Sequence, residues 1–142
     1  SVRAGRPFRC AVLDLVGRLN LQDVHLTGHV DFAELRACYE VADVYLSLSE
    51  HEGFGVPLLE AFHKRIPVVG FDAGAVAETM NGGGVVVRHK DFARLAALID
   101  VLVRDRALRG SLIEGQLRAL EKFSRENVSR TLLEHVDRVV RG

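Results

Sequence analysis

A chain of 142 residues is enough for one domain, and 48% apolar beside 27% charged residues is the balance of a globular fold with a single core. Nineteen Lys and Arg offset nineteen Asp and Glu, and the basic residues are scattered, which excludes the positive clusters that nucleic acid or an anionic membrane surface would require. No apolar run is long enough to span a bilayer and no signal peptide is expected; with two well-separated cysteines, Cys10 and Cys38, in apolar helix-like segments, the expectation is buried thiols and a cytoplasmic protein.

In chain order, Phe8, Val12, Leu15, Val16 and Leu19 repeat at helical spacing. Asp23–Gly28 (DVHLTG) predicts a short strand closed by a glycine turn. Asp31 with Glu34 three residues on has the form of a capping box, opening a helix through Leu35, Tyr39 and Ala42, with Phe32 and Tyr39 expected in the core. Asp43–Ser49 (DVYLSLS) predicts the next strand. Pro57 then stands where a first helical turn tolerates a missing N–H. Ile66–Phe71 and Gly82–Val87 predict two further strands, the first rich enough in apolar residues to be covered on both faces. From Asp91 the chain predicts helices, with one stripe over Phe92, Leu95, Ala96, Ile99, Leu102 and Val103 and another over Val128, Leu132, Val136, Val139 and Val140. Alternating strands and helices imply an α/β fold, a Rossmann-like parallel sheet with flanking helices. About four strands are visible and a helix comes first, so the expectation is a sheet lacking its first strands.

The loop Ser49–Val56 falls between a strand and a helix, where open parallel sheets bind ligands. Gly53 and Gly55 allow close backbone approach, and the following helix offers free N–H groups suited to a pyrophosphate. Glu52 and Glu60 flank this loop, although like charges repel an anion. The contradiction disappears if the carboxylates accept hydroxyls from two sugars, Glu60 from a ribose diol and Glu52 from a second sugar, with the diphosphate between them on the backbone. Taken alone, Glu60 at a helix start could equally be a dipole partner, and Glu52 a solvated loop charge. His51 reads as a surface residue, His63 and His89 have no metal-ligand spacing, and Gly82–Gly84 is explained by a tight turn. Glu78 is as readily structural as ligand-binding.

Glu52-Gly53-Phe54-Gly55-Val56-Pro57-Leu58-Leu59-Glu60 resembles the E-x7-E signature of retaining GT-B glycosyltransferases, specifically glycosyltransferase family 4. VHLTGHV, ELRACYEVADVYLSLSEHEGFGVPLLEAF, PVVGFDAGAVAETM, GGGVVV and FSRENV extend the resemblance over nearly the whole chain. It implies the donor-binding half of a GT-B fold, residues 1–142 forming a single, partial carboxy-terminal nucleotide-sugar-binding domain whose amino-terminal acceptor domain is absent. It also implies that Glu60 binds the nucleotide ribose, that Glu52 is catalytic through donor-sugar hydroxyls near the reacting carbon, and that Gly53, Phe54, Gly55 and Val56 complete the donor site. His29 and Val30 would lie by the base.

The family's reaction transfers a sugar from a UDP- or GDP-sugar to a hydroxyl acceptor, in polysaccharide or glycoconjugate synthesis. The nucleotide-sugar is a substrate, and neither cofactor nor metal is expected. Expected partners are that donor, an acceptor of unknown identity and the missing amino-terminal domain, with peripheral membrane association belonging to the full-length protein and no nucleic acid. The family's pyrophosphate-binding Arg and Lys precede the start of this sequence, Arg3 and Arg6 standing in no comparable context, and Lys64-Arg65 replaces a common small-residue turn. The isolated chain is therefore expected to bind donor weakly and to be inactive. Two alternatives remain, a non-catalytic nucleotide-sugar-binding module and an NAD-binding Rossmann domain with Asp72 as its ribose acid. Against the latter, the third fingerprint glycine is Leu58.

Overall fold

The computed structural model describes residues 5–141, so Arg3 lies outside it. The chain divides into two compact units, Ser1–Glu34 and Leu35–Gly142. In the first, α1 (Gly5–Arg18) covers the helical pattern read from Phe8 to Leu19. The DVHLTG segment is not a strand: it has no ladder partner among the described residues, and extended backbone becomes a strand only by pairing. Its glycine turn is present, with Gly28 at φ 68°, and the Arg9 guanidinium donates to the Leu26 carbonyl at 3.4 Å. The capping box forms reciprocally: the Glu34 amide donates to Asp31 Oδ1 at 2.8 Å, and the Asp31 amide to Glu34 Oε2 at 3.0 Å. It opens α2 (Phe32–Val41). Phe32, expected in the core, is 80% exposed, because the first residue of a helix has no preceding turn to lie against.

The second unit is built on three parallel strands in the order β1 (Tyr45–Ser47), β2 (Val68–Phe71), β3 (Val85–Val87). Tyr45 is in register with Val68, and Val69 with Val85. Helix α3 (Val56–His63) connects the first pair and α4 (Val76–Met80) the second. Adjacent residues of β2 point to opposite faces, as the two-residue strand period requires. Val68 joins Leu58, Ala61 and Phe62 of α3, Met80 of α4 and Ala119 of α6 (Arg106–Leu120), whereas Val69 joins Leu95 and Leu102 of α5 (Phe92–Arg104). Both faces are thus covered, which is why Ile66–Phe71 reads as an unbroken apolar run. Of the α5 stripe, Leu95 and Leu102 are buried, one heptad apart, while Phe92, Ala96 and Val103 are exposed.

The glycine turn before β3 is a packing requirement. A Cβ on Gly83 would stand 2.9 Å from the Gln116 backbone and from the Phe62 ring. Gln116 itself is fully buried: its Nε2 donates to the Ile66 carbonyl at 2.8 Å and its Oε1 accepts from the Val68 amide at 3.0 Å. It therefore satisfies both backbone groups that enter β2. Lys64-Arg65, in place of small residues, makes its turn with Arg65 at φ 58°. A short 3₁₀ turn (Glu121–Phe123) leads into α7 (Arg125–Arg141), whose apolar stripe is exposed.

Candidate functional site

The loop from Leu48 to Gly55 leaves β1 and enters α3, and the turn Asp72–Ala75 leaves the neighbouring strand β2. Three contacts hold the first loop against the second. The Ala75 amide donates to the Glu52 carbonyl at 3.1 Å. Thr79, buried on α4, donates its hydroxyl to the Phe54 carbonyl at 2.6 Å. Gly74, at φ 55°, comes so near that a Cβ there would collide with the Glu52 carbonyl oxygen. Farther out, Lys90 pairs with Glu50 at 2.6 Å, and the Phe54 ring meets Phe123 edge-on at 5.6 Å.

Gly55 takes φ 79° immediately before α3, and the Leu58 amide closes the turn onto its carbonyl at 2.9 Å. The amides of Gly53, Phe54 and Gly55 have no backbone acceptor among the described residues, which leaves them as donors at the helix entrance. Gly53 differs from its neighbour. A Cβ there would meet nothing within 4 Å.

Glu60 is the fifth residue of α3, in its second turn, and not in the first turn as the sequence suggests. The reason is Gly55, whose left-handed backbone starts the helix at Val56. The dipole explanation for Glu60 loses its basis, since that effect is confined to the first turn. Glu60 is exposed and Glu52 partly buried. Tyr39 Oη donates to Glu60 Oε2 at 3.1 Å, with the Pro57 carbonyl at 3.4 Å, and the Tyr39 ring stacks on Tyr45 with centroids 6.1 Å apart. Burial raises the Tyr45 phenol above its usual pKa, and the negative charges of Glu52 and then Glu60 raise it further. Burial, the hydrogen bond to Glu60 and its charge push Tyr39 higher still.

Beside Glu60 lies a cleft of about 300 Å³, walled by Leu35, Cys38, Tyr39, Ala42, Tyr45 and Pro57. Cys38 is exposed in it and Cys10 is exposed on α1, contrary to the expected buried thiols; helical apolar spacing does not ensure a covering partner, and α2 buries no residue completely.

His29, exposed, and Val30, partly buried, belong to the first unit. Val56 is exposed at the start of α3. His51, His63 and His89 are exposed, and among the described residues no group of three His, Cys, Asp or Glu is arranged to hold a metal ion. Asp72 pairs with Arg88 at 3.3 Å, and Leu58 is buried in the core. Neither supplies what a dinucleotide site needs. Glu78 is exposed in the first turn of α4. Sequence reasoning missed Tyr39 as the partner of Glu60, and Gly74, Ala75 and Thr79 as the mount of the loop. The glycine in DAGAVAET was the available signal for that mount.

The family model described as Glycosyl transferases group 1 matches residues 4–105. N-acetyl-alpha-D-glucosaminyl L-malate synthase of Bacillus anthracis is 34% identical over 125 residues, a match covering 86% of this chain and 30% of that protein. Among solved structures, the C-terminal domain of a glycosyl transferase group 1 family protein from Francisella tularensis superposes with a TM-score of 0.68 at 25% identity, over 82% of this chain and 62% of that one. Sucrose-phosphate synthase from Thermosynechococcus elongatus gives a TM-score of 0.73 at 26% identity, over 94% and 35%.

Proposed function

Because the chain belongs to the glycosyl transferases group 1 family, with the α/β architecture of the carboxy-terminal half of a GT-B fold, we propose that it is the donor-binding part of a retaining nucleotide-sugar glycosyltransferase. Residues 1–142 then form part of the carboxy-terminal domain, and acceptor recognition falls to an amino-terminal domain of the larger enzyme. The chain's 30% share of the Bacillus anthracis relative is in keeping with that division. The donor is a UDP- or GDP-sugar and the acceptor a hydroxyl compound of polysaccharide or glycoconjugate synthesis. The protein acts in the cytoplasm, with any membrane contact peripheral.

The observation that carries this reading is the mounting of the glycine loop between Glu52 and Glu60: Ala75 and Thr79 fix its main chain, Gly55 starts α3, and Tyr39 holds Glu60. Glu60 accepts the ribose hydroxyls. Glu52, its main chain fixed by Ala75, accepts hydroxyls of the transferred sugar. The amides of Gly53, Phe54 and Gly55, with Val56 opening the helix, face the diphosphate. In transfer, the bond between the anomeric carbon and the diphosphate oxygen breaks while the acceptor oxygen attacks from the same face, and the acceptor proton leaves with the departing diphosphate. Preorganised amides stabilise the charge that develops on that leaving group. No side chain of the loop is assigned as a covalent nucleophile.

A thermal-shift panel of UDP, GDP, ADP and their sugar conjugates tests the donor site, because a ligand of the native state raises the melting temperature by mass action. The expected result is a shift with one nucleotide class that Glu60→Ala reduces. Equal shifts in both proteins would remove Glu60 from the site. Transfer requires the amino-terminal domain, so measurable turnover by residues 1–142 alone would overturn the division of labour.

A further inference from the structure

We propose that Tyr39 is a positioning residue for Glu60: its phenol holds one carboxylate oxygen so that the other is presented to the ribose diol. The inference rests on the donor-site reading above and names a residue outside the E-x7-E stretch. Glu60 is exposed on a helix surface, and such a side chain would ordinarily sample several rotamers and lose that freedom on binding. Here Oε2 accepts from Tyr39 Oη at 3.1 Å. A phenol has one proton to give, and the carboxylate is both nearer and a stronger acceptor than the Pro57 carbonyl at 3.4 Å. The phenol in turn is fixed from behind, since its ring stacks on Tyr45 of β1 at an interplanar angle of 22° and packs against the core. A chain of contacts therefore runs from the sheet through Tyr45 and Tyr39 to Oε2. Fixing a group before the ligand arrives lowers the ordering cost of binding.

The test compares Tyr39→Phe, Glu60→Ala and the double variant. Each is titrated with UDP, GDP and ADP beside their 2′,3′-dideoxy counterparts, and its melting temperature is recorded without nucleotide. Tyr39→Phe keeps the stacked ring and removes only the hydroxyl. It is expected to weaken the bound ribonucleotide by roughly three- to tenfold, the range of one net hydrogen bond. The dideoxy analogue, which has no diol, should bind the parent and Tyr39→Phe equally, and the double variant should bind no more weakly than Glu60→Ala. Equal weakening of ribo and dideoxy forms, or a further loss in the double variant, would show that Tyr39 shapes the cleft generally and would overturn the proposal. If Glu60→Ala weakens binding but Tyr39→Phe does not, the positioning role fails while the donor site stands. Unchanged binding by Glu60→Ala, or no binding of any of the three nucleotides by the parent, removes both.

Discussion

Gly74→Ala should damage the site from outside the signature that marks it. Gly74 sits at φ 55°, where an L side chain costs about 1–2 kcal/mol. A Cβ there would strike the Glu52 carbonyl oxygen and lie 3.2 Å from its carbon and 3.3 Å from the Glu52 nitrogen. These are main-chain atoms, so no rotamer change relieves the clash, and overpacking of this kind costs about 1–3 kcal/mol. The summed expectation is a destabilisation of about 2–5 kcal/mol, with the Ala75-to-Glu52 hydrogen bond lengthened or broken. Gly53→Ala is the matched control. Its Cβ meets nothing within 4 Å, so its stability should change by less than about 0.5 kcal/mol, while the crowded donor loop should lose nucleotide affinity. Urea unfolding gives the stabilities, and hydrogen exchange at the Ala75 amide reports the loop contact. A Gly74→Ala protein as stable as the parent, with that amide still protected, would refute the account of how the loop is mounted.

Gln116→Leu should lower stability by about 2–5 kcal/mol, read as a fall in urea midpoint, because the Val68 amide and Ile66 carbonyl would both be buried without partners. The chain has two tyrosines, both with phenols raised above their ordinary pKa, so tyrosinate absorbance should not rise near pH 10 while the protein is folded. A group that holds its proton more tightly in the folded state stabilises it below the unfolded pKa and loses that contribution as pH climbs, so tyrosinate should appear together with unfolding. A distinct step near pH 10 in the folded protein would contradict the packing of Tyr39 and Tyr45. Both cysteines should react with an aromatic disulfide reagent without denaturant, and a single fast thiol would contradict their exposure.

The order of elements in the second unit was legible because each strand carries its own signal. Val68 and Val69 face opposite cores, so both had to be apolar, and the run from Ile66 to Phe71 says so without a partner in view. The Asp31–Glu34 box was legible for the same reason, being a contact between near neighbours in sequence. What depends on distant partners was not. DVHLTG has the composition of a strand, yet strand formation requires a second chain segment. Phe32, Cys10 and Cys38 have apolar surroundings in sequence but no cover in space. In the candidate site, the E-x7-E spacing is what singles out both acids. The link from Tyr39 to Glu60 spans 21 residues and that from Thr79 to Phe54 spans 25, and no local pattern encodes either.

The Tyr39–Glu60 and Ala75–Glu52 bonds bear on why acidic side chains can flank a loop suited to an anion. Glu52 is secured through its carbonyl, which accepts from Ala75, so its carboxylate is not spent on holding the loop. Glu60 stands a full turn into α3, beyond the unbonded amides of Gly53, Phe54 and Gly55 in the chain, and is held by Tyr39. The Glu60 carboxylate is thus anchored by an element other than the loop, α2, while the β2–α4 turn fixes only the main chain of Glu52. Either charge, free to swing, could fold over the helix entrance and occupy the amides itself, as carboxylates commonly do at helix starts. Tyr39→Phe should accordingly weaken inorganic pyrophosphate as well as nucleoside diphosphate only if the released Glu60 reaches the amides. With Tyr39→Phe, which removes one hydrogen bond from Glu60, pyrophosphate affinity should hold while ribonucleotide affinity falls. Loss of both in Tyr39→Phe would mean that the anchor protects the anion site and does not merely aim Glu60.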